Sequence, residues 1–418
     1  VISVAEARAR ILSAFSPLPP EMLGLSQAMG RVLARPLLAA RTQPPWPVAA
    51  MDGWAVRAVD VGGARRTDPV ALRRIGEAAA GRAFDGTVGP GEAVRIFTGA
   101  PVPDGADCVV MQEDCTASGD EVRVGGAGGP GRHVRPAGVD FAEGRELLAP
   151  GRLLSARDIM LAAAADRPWL AVHRRPRIAI LSTGDELVAP GEAAGPSQIV
   201  NSNAFGVAGL VTALGGEAVD LGIALDTPAS LAERAAGARG CDLLVTIGGA
   251  SDGDHDLVKA VLGRLGVSLD FYKIAMRPGK PLMFGRGVGA HGGGGVPLLG
   301  LPGNPVSAMV CAVLFLQPLL RVLQGLPADH GPPPVARLAV AVKGGDARQD
   351  HLRATLERQA DGTWLATPFA IQDSAIISLL ARADALIVRP PHCPPAAAGD
   401  AVEIIPFPGP FPGGMART

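Results

Sequence analysis

Between residues 177 and 265 the chain alternates dense apolar runs with stretches that are apolar at helical spacing. Residues 177–182, 218–225 and 243–247 are short runs rich in Ile, Val and Leu, the pattern of buried strands. Helices are predicted over 204–214 and 229–238. A further one follows the third run, where Leu257, Val258, Val261, Leu262 and Leu265 recur. The apolar run 298–301 then leads through Pro302-Gly303-Asn304-Pro305 into the apolar stretch 306–316. Asn304 suits an N-cap, and Pro305 suits the first helical position. Strands alternating with helices predict a doubly wound parallel sheet covered on both faces. Ligands of such sheets sit beyond the carboxyl ends of the strands. Glu186, Asp226, Gly248 and Gly303 each fall just after a predicted strand, so topology gathers them at one edge.

The flanks read differently. Ser3 and Glu6 form a capping-box pattern ahead of Ala7, Ile11, Leu12 and Phe15. Ser26 is placed to cap a second short helix running to Leu33. Ser155 and Asp158 open a helix over 156–165 that is expected to pack back on the first. From 56 to 140 the pattern is short strands and turns, including 92–97, 107–112 and 121–124, with no helix of useful length. Beyond Pro332-Pro333-Pro334, strands over 335–342, 351–357, 363–367, 386–389 and 401–405 surround a short helix at 374–381. The predicted layout is multidomain α/β and β. A helical or linker part covers 1–48 and 141–175, an inserted β domain 49–140, a central α/β domain 176–326, a C-terminal β domain 327–408 and a tail 409–418. Residues 292–295 read as a hairpin tip.

Composition narrows the function. At 418 residues and 48% hydrophobic content, more than one buried core is expected. A net charge of −1 leaves no basic footprint for general nucleic-acid binding, and aromatics at 4% with the single Tyr272 offer no platform for stacking bases. Five cysteines with no C-x-x-C pair argue against a disulfide framework or a structural zinc site and suit a reducing cytoplasm. The first residues lack a secretory apolar core. The stretch 306–323 is strongly apolar, but Ser307, Gln317, Pro318 and Arg321 interrupt it, so it reads as a buried helix.

The candidate chemistry is an anion site. Glycines let backbone N–H groups approach a ligand, and helix starts add unpaired N–H groups with a partial positive charge. The turns at Gly248-Gly249 and Gly303-Asn304 lie near Lys273, Arg277 and Lys280, while Asp254 and Asp256 suit a hard cation such as Mg2+. Ordinary readings stand beside these: the glycines also suit plain turns, Asp52-Gly53 is a common turn pair, and Asp226 suits the cap of a helix starting near Pro228.

Five motifs then occur in order: Ala50-Met51-Asp52-Gly53, Thr98-Gly99-Ala100-Pro101, Ser182-Thr183-Gly184-Asp185-Glu186-Leu187, Pro278-Gly279-Lys280-Pro281 and Gly300-Leu301-Pro302-Gly303-Asn304-Pro305. The series resembles the MoeA/gephyrin E-domain family of molybdopterin molybdotransferases over nearly the whole chain. The resemblance implies that adenylylated molybdopterin and molybdate are substrates, that AMP leaves and that Mg2+ assists. It implies a homodimer whose cleft is shared between subunits, with an upstream adenylyltransferase as a partner. Lys273, Arg277 and Lys280 would neutralise the pyrophosphate and molybdate. Thr183, Gly184, Asp185, Gly248, Gly249, Ser251, Pro302, Gly303, Asn304 and Pro305 would cradle the substrates. Glu186, Asp226 and Asp256 would bind the metal, and Asp52, Thr98 and Asp140 would act from the partner subunit. This chain departs from the family's usual pattern at Ile247, Asp252, Arg277 and Trp54. The rivals are the adenylylation of molybdopterin and a gephyrin-like scaffold.

Overall fold

The computed structural model describes residues 1–249, 267–287, 295–329 and 331–408. The helix expected after Gly249, the hairpin tip and the tail beyond 408 therefore lie outside the described residues, as do Ser251 and Asp256. The chain divides into two compact units, one comprising Met22–Met29 and Arg35–Ala171, the other the remainder.

The first unit is built on a six-stranded sheet in the order Cys108–Met111, Gly53–Val56, Glu92–Ile96, Val70–Ala78, Glu121–Val124, Cys115–Ser118. Successive side chains alternate between its faces. Trp54 and Val56 join Leu72, Val110 and Val122 in one core, while Ala55 joins Val94, Ile96 and Val109 in another. The inserted β region is thus a sheet apolar on both sides. A four-residue helix, Ala58–Val61, interrupts it; at one turn it is too short to leave a periodic signal. The helix Ala156–Ala164 forms with its capping box: Asp158 accepts from the Ser155 N–H and hydroxyl at 2.8 and 2.7 Å. The expected helix from Ser26 to Leu33 is corrected to Leu25–Ala28, because the chain turns away at Gly30, whose φ of 73° no helix continues.

The second unit holds the central sheet, in the order Glu217–Ala224, Arg177–Thr183, Leu243–Ile247, Leu298–Leu301, Met283–Gly287, Val267–Phe271. The first four strands are parallel. Met283–Gly287 then runs antiparallel to both of its neighbours, Leu298–Leu301 and Val267–Phe271, so a single reversed strand extends the predicted parallel sheet. An antiparallel neighbour needs no crossover helix, and here the connection from Phe271 to Met283 is a short extended segment. The core beneath one face is dominated by the 19-residue apolar helix Pro305–Leu323, in which an 18-residue window has a mean hydropathy of 2.0. That length and composition also suit a membrane span, but the helix is mostly buried within the fold. Val4, Ala7 and Ile11 of the helix Val4–Leu12 join the same core. The first helix therefore buries its apolar stripe against the α/β layer.

The C-terminal domain closes on itself. Gln349–Arg358 pairs with Trp364–Pro368, which leads through Val335–Leu338, Ala401–Pro406 and Ala385–Arg389 back to Gln349–Arg358. Closure removes open edges. The two-residue strand Met276–Arg277 adds in parallel beside Gln349–Asp350, so the barrel is stitched to the segment that carries the predicted cations.

Candidate functional site

Strand register places the site. Thr183 lies opposite Ala224, Ser182 opposite Ile247, and Ile247 opposite Leu301, so four parallel strands end level. Their turns, at Gly184, Asp226, Gly248 and Pro302, share one edge, as the topology predicted. The turns also touch. The Gly248 N–H donates to the Leu301 carbonyl at 3.1 Å. A Cβ on Gly248 would stand 2.5 Å from the Thr183 carbonyl oxygen, and its φ is 95°, so this position needs glycine on two counts. A Cβ on Gly303 would lie 3.7 Å from the Gly248 Cα. Glycine against glycine leaves backbone amides close to any ligand above the edge. Gly249, with φ 63°, continues the turn.

Beside this floor, the Thr183 hydroxyl is buried without a hydrogen-bond partner. A buried hydroxyl is normally satisfied, so its isolation next to two glycine turns marks a point of polar demand. Ser182 is different: its hydroxyl donates to the Asn201 side chain at 3.1 Å inside the protein.

The acidic residues form the neighbouring wall. One Asp185 carboxylate oxygen accepts from the Asp226 backbone N–H at 3.0 Å, which ties the turn after Thr183 to the turn after Ala224. Asp226 does not cap the following helix; Thr227 does, accepting from the Ser230 N–H at 3.2 Å, with Pro228 next. The Glu186 carboxylate folds back over Gly184, where a Cβ would meet it at 2.3 Å. Asp185, Glu186 and Asp226 are all exposed. Their oxygens have the chemistry a hard cation takes. Among the described residues no three acidic, His or Cys side chains converge tightly enough to form a closed metal cage.

Asn304 occupies the N-cap position but does not cap with its side chain. Its amide donates to the Ser374 hydroxyl at 3.1 Å, and the Val306 N–H donates to the Ser374 carbonyl at 3.0 Å. A loop of the C-terminal domain thus seats on the helix start beginning at Pro305. Arg353 holds that loop. Its buried guanidinium donates to the carbonyls of Ile376 at 3.1 Å, Asp373 at 2.8 Å and Ile371 at 3.4 Å. Asn203, at the opening of the helix Asn203–Ala213, donates to the Gly303 carbonyl at 2.7 Å. Ser374, Arg353 and Asn203 carry no local motif; only the tertiary contact reveals them.

The cations lie on the segment before Met283. Arg277 is engaged: it donates to Asp350 at 2.5 Å and to Asp346 at 3.4 Å. The Lys273 ammonium lies over the Tyr272 ring, 4.9 Å from its centroid. Lys280 lines a cleft of about 400 Å³ together with Ile274, Ala275, Asp346, Ala347 and Arg348. Gly279, with φ 109°, brings this segment against the helix that follows Pro305, where the Cys311 thiol lies 3.7 Å from the Gly279 carbonyl oxygen. Near Arg277, His351 is 2% exposed, and burial pushes its pKa down to about 4, so the ring is neutral at pH 7.

In the other unit, Asp52 and Thr98 form a pair. The Thr98 N–H and hydroxyl both donate to one Asp52 oxygen at 2.7 Å. Those two bonds, helped by the charge of Arg95, hold the carboxyl below its usual range. Gly53 packs so closely that a Cβ would lie 1.9 Å from the Val110 carbonyl oxygen, which fixes the Asp52 turn against the sheet. Asp140 is exposed and its own N–H donates to the Gln43 carbonyl at 3.1 Å.

The comparisons agree along the chain. Residues 2–165 match the family model described as MoeA N-terminal region (domain I and II), 179–322 the probable molybdopterin binding domain, and 335–407 the MoeA C-terminal region (domain IV). A molybdopterin molybdenumtransferase of Haemophilus influenzae is 32% identical over 97% of this chain and 99% of its own length. One of Nostoc sp. is 40% identical over 73% of this chain and 70% of its own. The crystal structure of a molybdopterin biosynthesis MoeA protein from Pyrococcus horikosii superposes with a TM-score of 0.85 at 31% identity, covering 98% of this chain and all of that one.

Proposed function

This chain belongs to the MoeA family and works as a transferase in molybdenum cofactor biosynthesis, and from that premise we propose how its residues divide the task. The substrates in this reading are molybdate and adenylylated molybdopterin, and AMP is released. The observation that carries it is the glycine floor at the level strand ends, where Gly248 meets Thr183 and Gly303. Amides there would cradle the pterin-linked phosphates. The unsatisfied Thr183 hydroxyl would donate to the same ligand. Asn304 and Pro305, braced by Ser374, would hold the second turn in place.

Breaking a phosphoanhydride and seating an oxyanion both need positioning and charge neutralisation more than a protein nucleophile. Lys280 and Arg348 would supply the positive wall of the oxyanion cleft, with Lys273 alongside and Arg277 bracing it through Asp346 and Asp350. Mg2+ belongs to the reading as well. Glu186 and Asp226, with Asp256, have the oxygen donors to hold it, and when bound it would neutralise phosphate charge. Asp185 would keep the Asp226 turn in register rather than touch substrate. We retain a homodimer in which Asp52, Thr98 and Asp140 of one copy serve the other, and a reducing cytoplasm, which the five free cysteines suit.

The test is AMP release from adenylylated molybdopterin with molybdate, with and without Mg2+. Metal- and molybdate-dependent release is expected. If the protein instead releases pyrophosphate from molybdopterin and ATP, the adenylylation reading replaces this one. Mixing Asp52→Ala with Lys280→Ala protein should restore activity if the cleft is shared between copies.

A further inference from the structure

The cleft beside Lys280 contains its own anion. Asp346 is 49% exposed, yet both of its oxygens are engaged. One accepts from the Arg348 N–H at 2.8 Å, the other from the Arg348 guanidinium at 2.9 Å and from Arg277 at 3.4 Å. Asp350, by contrast, is buried and committed to Arg277. Lys280 and Arg348 therefore line the cleft, Arg277 reaches Asp346 from beside it, and Asp346 is the exposed carboxylate shared between the two arginines. These contacts draw its pKa down to about 2, so the carboxylate is charged under all working conditions.

An arginine fork binds a carboxylate or a tetrahedral oxyanion with the same donors. An oxyanion entering beside Lys280 meets guanidinium groups already occupied, and a fixed negative charge a few ångströms away. Its net attraction is the cation field less the Asp346 field. For a transferase, tight ground-state capture of the oxyanion adds nothing to turnover. We propose that Asp346 sets the affinity of the cleft: it holds Arg348 and Arg277 in place as a built-in competitor and limits how strongly a tetrahedral dianion binds. The proposal rests on the reading that this cleft takes the oxyanion.

Removing the charge while keeping an acceptor gives the test. Asp346→Asn retains an oxygen for the Arg348 N–H. Molybdate binding to the full-length protein, and competition by sulfate, would be followed by calorimetry at low and high salt. The expected result is tighter binding of both anions, by about three- to thirty-fold at low salt, shrinking as salt rises. A merely structural role would weaken binding instead. Unchanged or weaker binding by Asp346→Asn overturns the proposal, provided Lys280→Ala weakens binding in the same assay. If Lys280→Ala leaves molybdate binding untouched, the cleft reading beneath it fails as well. Should Asp346→Asn not fold, Asp346→Ser, which keeps a hydroxyl acceptor, reads the same way.

Discussion

Asp185 accepts a hydrogen bond from the Asp226 backbone N–H at 3.0 Å, joining two turns that are 41 residues apart in sequence. The bond works because the strands ending at Thr183 and Ala224 are parallel neighbours whose ends are level. One acidic side chain thereby fixes the backbone that carries another.

Asp185→Ala should loosen the Asp226 turn without removing any of the proposed metal ligands. The expected outcome is a several-fold higher Mg2+ concentration for half-maximal AMP release, with little change in melting temperature. Asp185→Asn keeps an oxygen acceptor and should restore most of the Mg2+ response. A Mg2+ titration of the three proteins checks this; identical curves would detach Asp185 from the metal side of the site.

Thr98→Val removes the hydroxyl donor to Asp52 and keeps the backbone donor. The Asp52 pKa should move back up toward the ordinary aspartate value, though not fully, because the Thr98 N–H and Arg95 remain. Carboxyl chemical shifts followed against pH in the two proteins measure it. In the wild type the carboxylate stays ionised to a lower pH than a free aspartate, so any contribution it makes to stability is present above the unfolded pKa and is lost as pH falls through the folded one.

His351 gives a second pH prediction. Its folded pKa, about 4, lies below the ordinary value of 6.5, so the unfolded chain takes up a proton first as pH falls. Stability is therefore complete above about pH 6.5 and declines between there and about pH 4, by roughly 3 kcal/mol at the limit. Urea unfolding at pH 7 and pH 5 should show the loss. His351→Gln, which keeps a polar group near Gln349, should flatten that part of the profile even if it lowers stability at pH 7.

Much of the central unit was legible because strand and helix periods are local. The runs at 177–182, 218–225 and 243–247 became strands within a residue or two, and Pro305 opens its helix as expected. The one-edge placement of Glu186, Asp226, Gly248 and Gly303 followed from alternation alone, since parallel strands must all end on the same side. The antiparallel pair at Val267–Phe271 and Met283–Gly287 was not legible. A two-residue edge or a reversed strand has the same hydrophobic period as a parallel one. Leu25–Ala28 was overextended because the capping signal at Ser26 is real as chemistry, while Gly30 decides where the chain turns.

The sequence by itself determined which residues are apolar at which period, and hence that glycine turns and acidic residues would collect at the carboxyl edge of one sheet. Only the tertiary structure decided how those turns are used. It set Gly248 against Thr183, gave Asp226 to Asp185, spent Arg277 on Asp350, and brought Ser374 across from the barrel on the carbonyl clamp of Arg353. The reason is range: periodicity is written in neighbouring residues, whereas these pairings join groups 20 to 73 positions apart, where many partners have the same local chemistry and packing chooses among them.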